Sequence, residues 1–98
     1  IGEIKEIEIT EAFSDALDLD FSKIHINNIF INNSKNDCAD FSFGNYTINE
    51  FNLSNCGDKA LSVGERSVLT TSKINIKNSK IGIASKDGSV VKVVRNNS

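Results

Sequence analysis

A fixed period of 22 residues runs through this chain. Ala16, Cys38, Ala60 and Gly82 are each 22 apart, as are Leu17, Ala39, Leu61 and Ile83. The same spacing relates Ile24, Tyr46, Val68 and Val90, and it reaches the N-terminus through Ile4, Ile26 and Ile48 and through Ile7, Ile29 and Phe51. Self-similarity at one period is the mark of a solenoid, in which each repeat buries its apolar face only against its neighbours.

Within one repeat the apolar residues alternate. Leu17 and Leu19, Ile24 and Ile26, and Ile29 and Ile31 form three pairs of period two, the spacing of strands with one buried face. No i, i+3, i+4 stripe persists, so helices are not expected. The spacing predicts an all-β parallel β-helix of about four to five coils, with three short strands per coil. Parallel strands of successive coils would pair at ~4.8 Å.

Asn33, Asn55 and Asn78 recur after the third strand, followed by Ser34, Cys56 and Ser79. Asn tolerates positive φ at turns, and stacked amides hydrogen-bond along an axis. These three are expected to form a structural ladder. Phe51 to Ile74 and Asn55 to Asn78 are 23 apart, which places one extra residue between Val68 and Ile74 and a compensating deletion before Gly82. Phe21 and Phe43 continue the list of matched apolar columns begun by Leu19, Phe41 and Val63.

Ninety-eight residues suit a single segment, 1–98, of a longer chain or assembly. A net charge of −2 gives no electrostatic reason to expect nucleic acid as a partner. No apolar run approaches the ~18 residues of a spanning helix, so membrane insertion is not expected. The two cysteines are read as free thiols. Cys38 lies beneath Ala60, and four extended residues from Cys56 to Ala60 would put the thiols roughly 13 Å apart, beyond disulfide reach.

Charge is uneven along the sequence. Residues 1–57 hold ten acids and three bases, net −7, and residues 58–98 hold three acids and eight bases, net +5. In a solenoid this order becomes axial order. One end is acidic and the other basic, and self-association through coil-end stacking would bring them together.

The segments Asp15-Ala16-Leu17-Asp18-Leu19-Asp20 and Asp37-Cys38-Ala39-Asp40-Phe41 resemble coils of the right-handed parallel β-helix superfamily that includes pectate lyases and polygalacturonases. The runs from Gly57 through Gly64 and from Ile81 through Asp87 resemble repeats appended to bacterial CotH-kinase-like surface proteins. This resemblance implies a right-handed coil and a bacterial extracellular or cell-surface setting. It specifies fold better than activity.

Candidate chemistry gathers on two acidic columns. Asp18 and Asp40, with Asp20 close by, would form a ligand-binding face, and Asp15 and Asp37 a parallel column at the preceding turn. Like charges stacked at ~4.8 Å are solvated, share a proton or hold a cation. A Ca²⁺ site on Asp15, Asp37, Asp18 and Asp40 and a pair of acid/base carboxylates are the functional readings; a solvated acidic turn is the structural one. No catalytic residue is assigned. Polygalacturonases also carry a paired Asp motif, Gly-His-Gly and Arg-x-Lys, which this chain lacks. Pectate lyases place an Arg near their acids, whereas Arg66 and Arg95 fall in later coils. His25 and Phe30 are expected to face solvent.

The function expected is a non-catalytic scaffold or binding surface, with a polysaccharide as the candidate partner and no cofactor other than Ca²⁺. Two alternatives stand beside it, a fragment of a carbohydrate-active enzyme and a filament subunit stacking end to end.

Overall fold

The computed structural model describes residues 2–94. Arg95 and the sequon Asn96-Asn97-Ser98 lie outside them. Seven strands run in chain order: β1 (Gly2–Ile9), β2 (Leu17–Asp20), β3 (Lys23–Ser34), β4 (Ala39–Ser42), β5 (Asn45–Val63), β6 (Val68–Ser85) and β7 (Val90–Val93). Every pairing is parallel, between residues 22 or 23 apart. The described residues form a β-solenoid of about four turns, with no helix among them.

Alternation sets what is buried. Ile7, Ile29, Phe51 and Ile74 stack in one interior column, and Leu17, Ala39, Leu61 and Ile83 in another. Ile26, Ile29, Ile31, Ala39, Phe41, Ile48, Phe51 and Leu61 have no exposed surface. Burying a side chain of this size stabilises the fold by about 1.5–3 kcal/mol. Strands β3, β5 and β6 are longer than one leg of the coil because pairing continues around a bend, so the three legs merge into fewer, longer strands.

Two corners are built from left-handed residues. Asn33, Asn55 and Asn78 adopt φ of 72°, 53° and 57°, as the recurring Asn predicts. The second corner holds Phe21, Phe43 and Arg66, with φ of 49°, 47° and 53°, and then Gly88 at 75°. The phenylalanines therefore do not join the interior. Phe21 is 78% exposed, and its ring stacks on Phe43 with centroids 5.0 Å apart. Left-handed backbone turns these side chains off the strand's alternation.

The extra residue sits earlier than the sequence suggests. Phe41 pairs with Val63 at 22, whereas Asn45 pairs with Val68 at 23. The insertion is therefore at the Gly64-Glu65 corner, not between Val68 and Ile74. Tyr46 consequently stacks under Leu69 and Val91 rather than Val68 and Val90. Leu69 is fully buried, and Val68 only partly. Phase returns at the register shift between Cys56 and Lys59.

The cysteines are not free. Cys38 and Cys56 form a disulfide with Cα atoms 5.5 Å apart. The straight-strand distance fails because the chain bends between Cys56 and Ala60, where the register shifts, and Gly57 lies so close to the Lys35 carbonyl that a Cβ there would overlap it. Cys56 thus rounds a corner above Ser34, its register partner, and swings back toward Cys38. The bond closes a loop of 18 residues, nearly one coil. A loop of that length is worth about 3 kcal/mol in a chain-entropy account. Cys38→Ser, or reduction, should therefore lower the melting midpoint by more than about 10 °C, and thiol titration of the denatured, unreduced chain should find no free thiol. Two titratable thiols there would contradict this pairing.

Candidate functional site

The acidic cluster grows from the corner before β2 and β4. Asp15 and Asp37 occupy equivalent positions in successive coils, and each points along the axis at the coil that follows. The Asp37 N–H donates to Asp15 Oδ1 at 3.1 Å, and the Lys59 N–H donates to Asp37 Oδ1 at 3.1 Å. Asp37 is only 6% exposed. Each carboxylate satisfies a backbone donor that the strand ladder leaves unpaired at the corner, and a buried orphan there would cost roughly 1–3 kcal/mol.

One rung further on, Asp18 pairs with Asp40, and Asp20 with Ser42. Side-chain oxygens of Asp15, Asp37 and Asp40 lie within 4.8 Å of one another. Asp18 falls outside that set. These three carboxylates are the residues that could hold a divalent cation. Ca²⁺ takes six to eight oxygens, and two of the three carboxylates already accept a backbone N–H.

Burial raises the Asp18 carboxyl above its ordinary value of 3.8, and the charges of Asp15, Asp20 and Asp37 push it the same way. Asp40 is raised first by burial, then by Asp18, Asp15 and Asp37, while Lys86 draws it down. A carboxyl raised on folding holds its proton more tightly folded than unfolded. The pair therefore costs stability at neutral pH and returns it as pH falls through the raised values toward 3.8.

The amide ladder is more extensive than the three corner residues. Asn78 donates to Asn55 at 2.8 Å, but Asn55 donates to Asn32, not Asn33, at 2.8 Å. Asn33 shares the corner conformation without joining this chain of amides. Further rungs join Asn49 to Asn27 at 2.8 Å and Asn75 to Asn52 at 2.9 Å. Asparagine at matched register positions was the available signal for both.

The outer face of β1, β3 and β5 carries a shallow depression lined by Glu6, Glu8, Asn28, Phe30, Glu50 and Asn52. Phe30 is 42% exposed there, as its alternation with Ile29 and Ile31 predicts. His25 also faces outward, with Nε2 3.4 Å from Asn49 Oδ1 and Nδ1 4.0 Å from Glu3. It lies on a different leg from the acidic cluster and has no part in it. No helix among the described residues is long and apolar enough to cross a membrane.

Asp40→Asn should stabilise the fold at pH 7 by about 0.5 kcal/mol through loss of a like-charged rung. It should also flatten the gain in stability on acidification from pH 6 toward pH 4, read by urea unfolding across that range. A loss of stability at neutral pH would show that the carboxylate makes a favourable contact instead. Compared with protein families, with curated proteins and with solved structures, the chain finds no match.

Proposed function

We propose that this chain is a non-catalytic segment of a secreted or cell-surface protein, a rigid solenoid whose flat faces bind a polymeric ligand such as a polysaccharide. One observation carries the non-catalytic part. Of the three clustered carboxylates, Asp15 and Asp37 are engaged in holding coils together, each accepting an N–H from the next coil. An acid or base committed to a backbone donor has less freedom to move a proton.

The disulfide supports an oxidising compartment outside the cytoplasm. The resemblance to pectate-lyase-like coils supports a right-handed turn, and that to repeats of bacterial CotH-kinase-like surface proteins supports a bacterial surface setting. The Phe30 face supports a saccharide ligand, since an exposed ring among carboxylates and amides offers both stacking and hydrogen bonds at strand spacing.

The enzyme reading has one observation in its favour, the raised carboxyls of Asp18 and Asp40. Their rung spacing of ~4.8 Å is close to the 5–5.5 Å of a retaining glycosidase pair. Yet both leave the same strand face, whereas a glycosidase places its carboxyls on opposite sides of the scissile bond. Asp20, one turn of alternation beyond Asp18, extends the acidic face without enclosing it.

Incubation with polyuronides and neutral glucans separates the readings. The expected result is retention without turnover, with Phe30→Ala weakening retention several-fold and Asp18→Ala leaving it intact. Turnover that Asp18→Ala or Asp40→Ala abolishes would establish the enzyme instead. Melting in Ca²⁺ and in EDTA should give the same midpoint; a higher one in Ca²⁺ would assign a cation to Asp15, Asp37 and Asp40.

A further inference from the structure

We propose, resting on the saccharide reading of the Phe30 face, that its occupant is a glycan of free amino sugars. Its ammonium groups lie against Glu6, Glu8 and Glu50, and a pyranose ring lies on Phe30. Phe30 stands on the second coil, with Glu8 one rung before it and Asn52 one rung after. It faces outward because it alternates with Ile29 and Ile31, which have no exposed surface. That direction is the same whatever coil lies below β1 or above β6.

A ring among amides accepts many sugars, and charge narrows the choice. Three carboxylates line the depression around Phe30. Glu8 shares its column, and Glu6 and Glu50 stand on either side of Asn28 in the adjoining one. Among the described residues none of the three forms an ion pair. Lys73 and Lys77 join this face only on the fourth coil, two rungs from Phe30, and Lys77 borders the next depression along. Two rungs of ~4.8 Å exceed the Debye length of ~8 Å at physiological ionic strength, whereas one rung lies within it. The carboxylates therefore set the potential at the ring. A polyuronide would meet like charge there, a neutral glucan no complement, and an amino sugar opposite charge.

One of the carboxylates is held in place by the amide ladder. Asn75 Nδ2 donates to Asn52 Oδ1 at 2.9 Å, and Asn52 Nδ2 donates to Glu50 Oε2 at 2.8 Å. Asn52 lies in the Phe30 column, so this relay draws the half-buried Glu50 carboxylate toward the ring. A group ordered before the ligand arrives loses less freedom on binding. An ammonium brings three donors and no acceptor, which suits a wall of carboxylate and amide oxygens.

The ring favours a sugar over a basic peptide. Lysine carries its charge on a flexible stem that must be ordered on binding. An amino sugar holds its nitrogen one bond from the rigid pyranose whose apolar face covers Phe30. Rungs ~4.8 Å apart are also close to the advance of one sugar in an extended 1,4-linked chain, so successive rings follow successive coils.

Fluorescence anisotropy with labelled probes tests this at low salt and mildly acidic pH, where the amino sugar carries its charge. The probes are a glucosamine oligomer, its N-acetylated counterpart with the same ring and linkage, and polylysine. The glucosamine oligomer should bind about tenfold more tightly than the N-acetylated one, the effect of two or three exposed ion pairs together. Added salt should shrink that gap. Glu8→Gln and Glu50→Gln should each narrow it about twofold or more, and glutamine at 50 keeps an oxygen for Asn52. Phe30→Ala should weaken both oligomers. Circular dichroism establishes that each variant is folded, and if one glutamine variant does not fold, the other still tests the charge. Two oligomers bound equally through Phe30 would leave the saccharide reading standing and overturn the amino sugar. A gap indifferent to both glutamine variants would also overturn it, as would polylysine bound as tightly as the glucosamine oligomer. Binding of neither oligomer would remove the saccharide reading as well.

Discussion

Parallel hydrogen bonding between residues one coil apart is the constraint from which the remaining structure follows. Once Ile29 is held over Ile7 and under Phe51, every neighbour in the strand is fixed to a column, and alternation decides whether that column is interior or exterior. A slip of one residue in any strand would send its apolar set outward. The corners make this arrangement continuous. Left-handed Asn33, Asn55 and Asn78 turn the chain at one of them, and Phe21, Phe43, Arg66 and Gly88 turn it at another.

Polar groups in this chain serve the same stacking. Asp15 and Asp37 complete corner hydrogen bonds, and Asn32, Asn55 and Asn78 link coils through their amides. The hydroxyl of Ser34, buried at the disulfide corner, lies 2.7 Å from the Ser14 carbonyl and 2.8 Å from that of Asp37 and donates its one proton between them. The Tyr46 hydroxyl lies 2.7 Å from the Ser42 carbonyl and 3.2 Å from that of Leu19. Thr71 is the exception. Among the described residues it alone has a buried hydroxyl without a partner, in the Ile26–Ile48 column beneath Val93.

The solenoid was legible in the sequence because its period is set by columns, and columns need matching residues. Leu17, Ala39 and Leu61 announce their stacking directly. What stayed hidden lay at corners, where period and alternation both lapse. The disulfide was missed because distance was counted along a straight strand, and the chain bends between Cys56 and Ala60. The insertion was misplaced because Val68 is as apolar as Leu69 beside it, so the column could be drawn through either. Phe21 and Phe43 were matched correctly to each other as an apolar column, but their outward direction was not foreseen, since hydrophobicity does not reveal a positive φ. At the acidic site the sequence placed Asp18 beside Asp40 and Asp15 beside Asp37. It did not reveal that Asp15 and Asp37 accept backbone N–H groups, because that depends on corner geometry.

The most direct test of the stack is a set of nuclear Overhauser contacts in the folded chain. The account predicts strong interstrand contacts linking Ile29 to Ile7 and Phe51, and Phe51 to Ile74, with none of the close Hα–Hα contacts of antiparallel pairs. Hα–Hα contacts between adjoining segments, such as Leu17–Asp20 against Lys23–Ile26, would mean a hairpin meander and would contradict it.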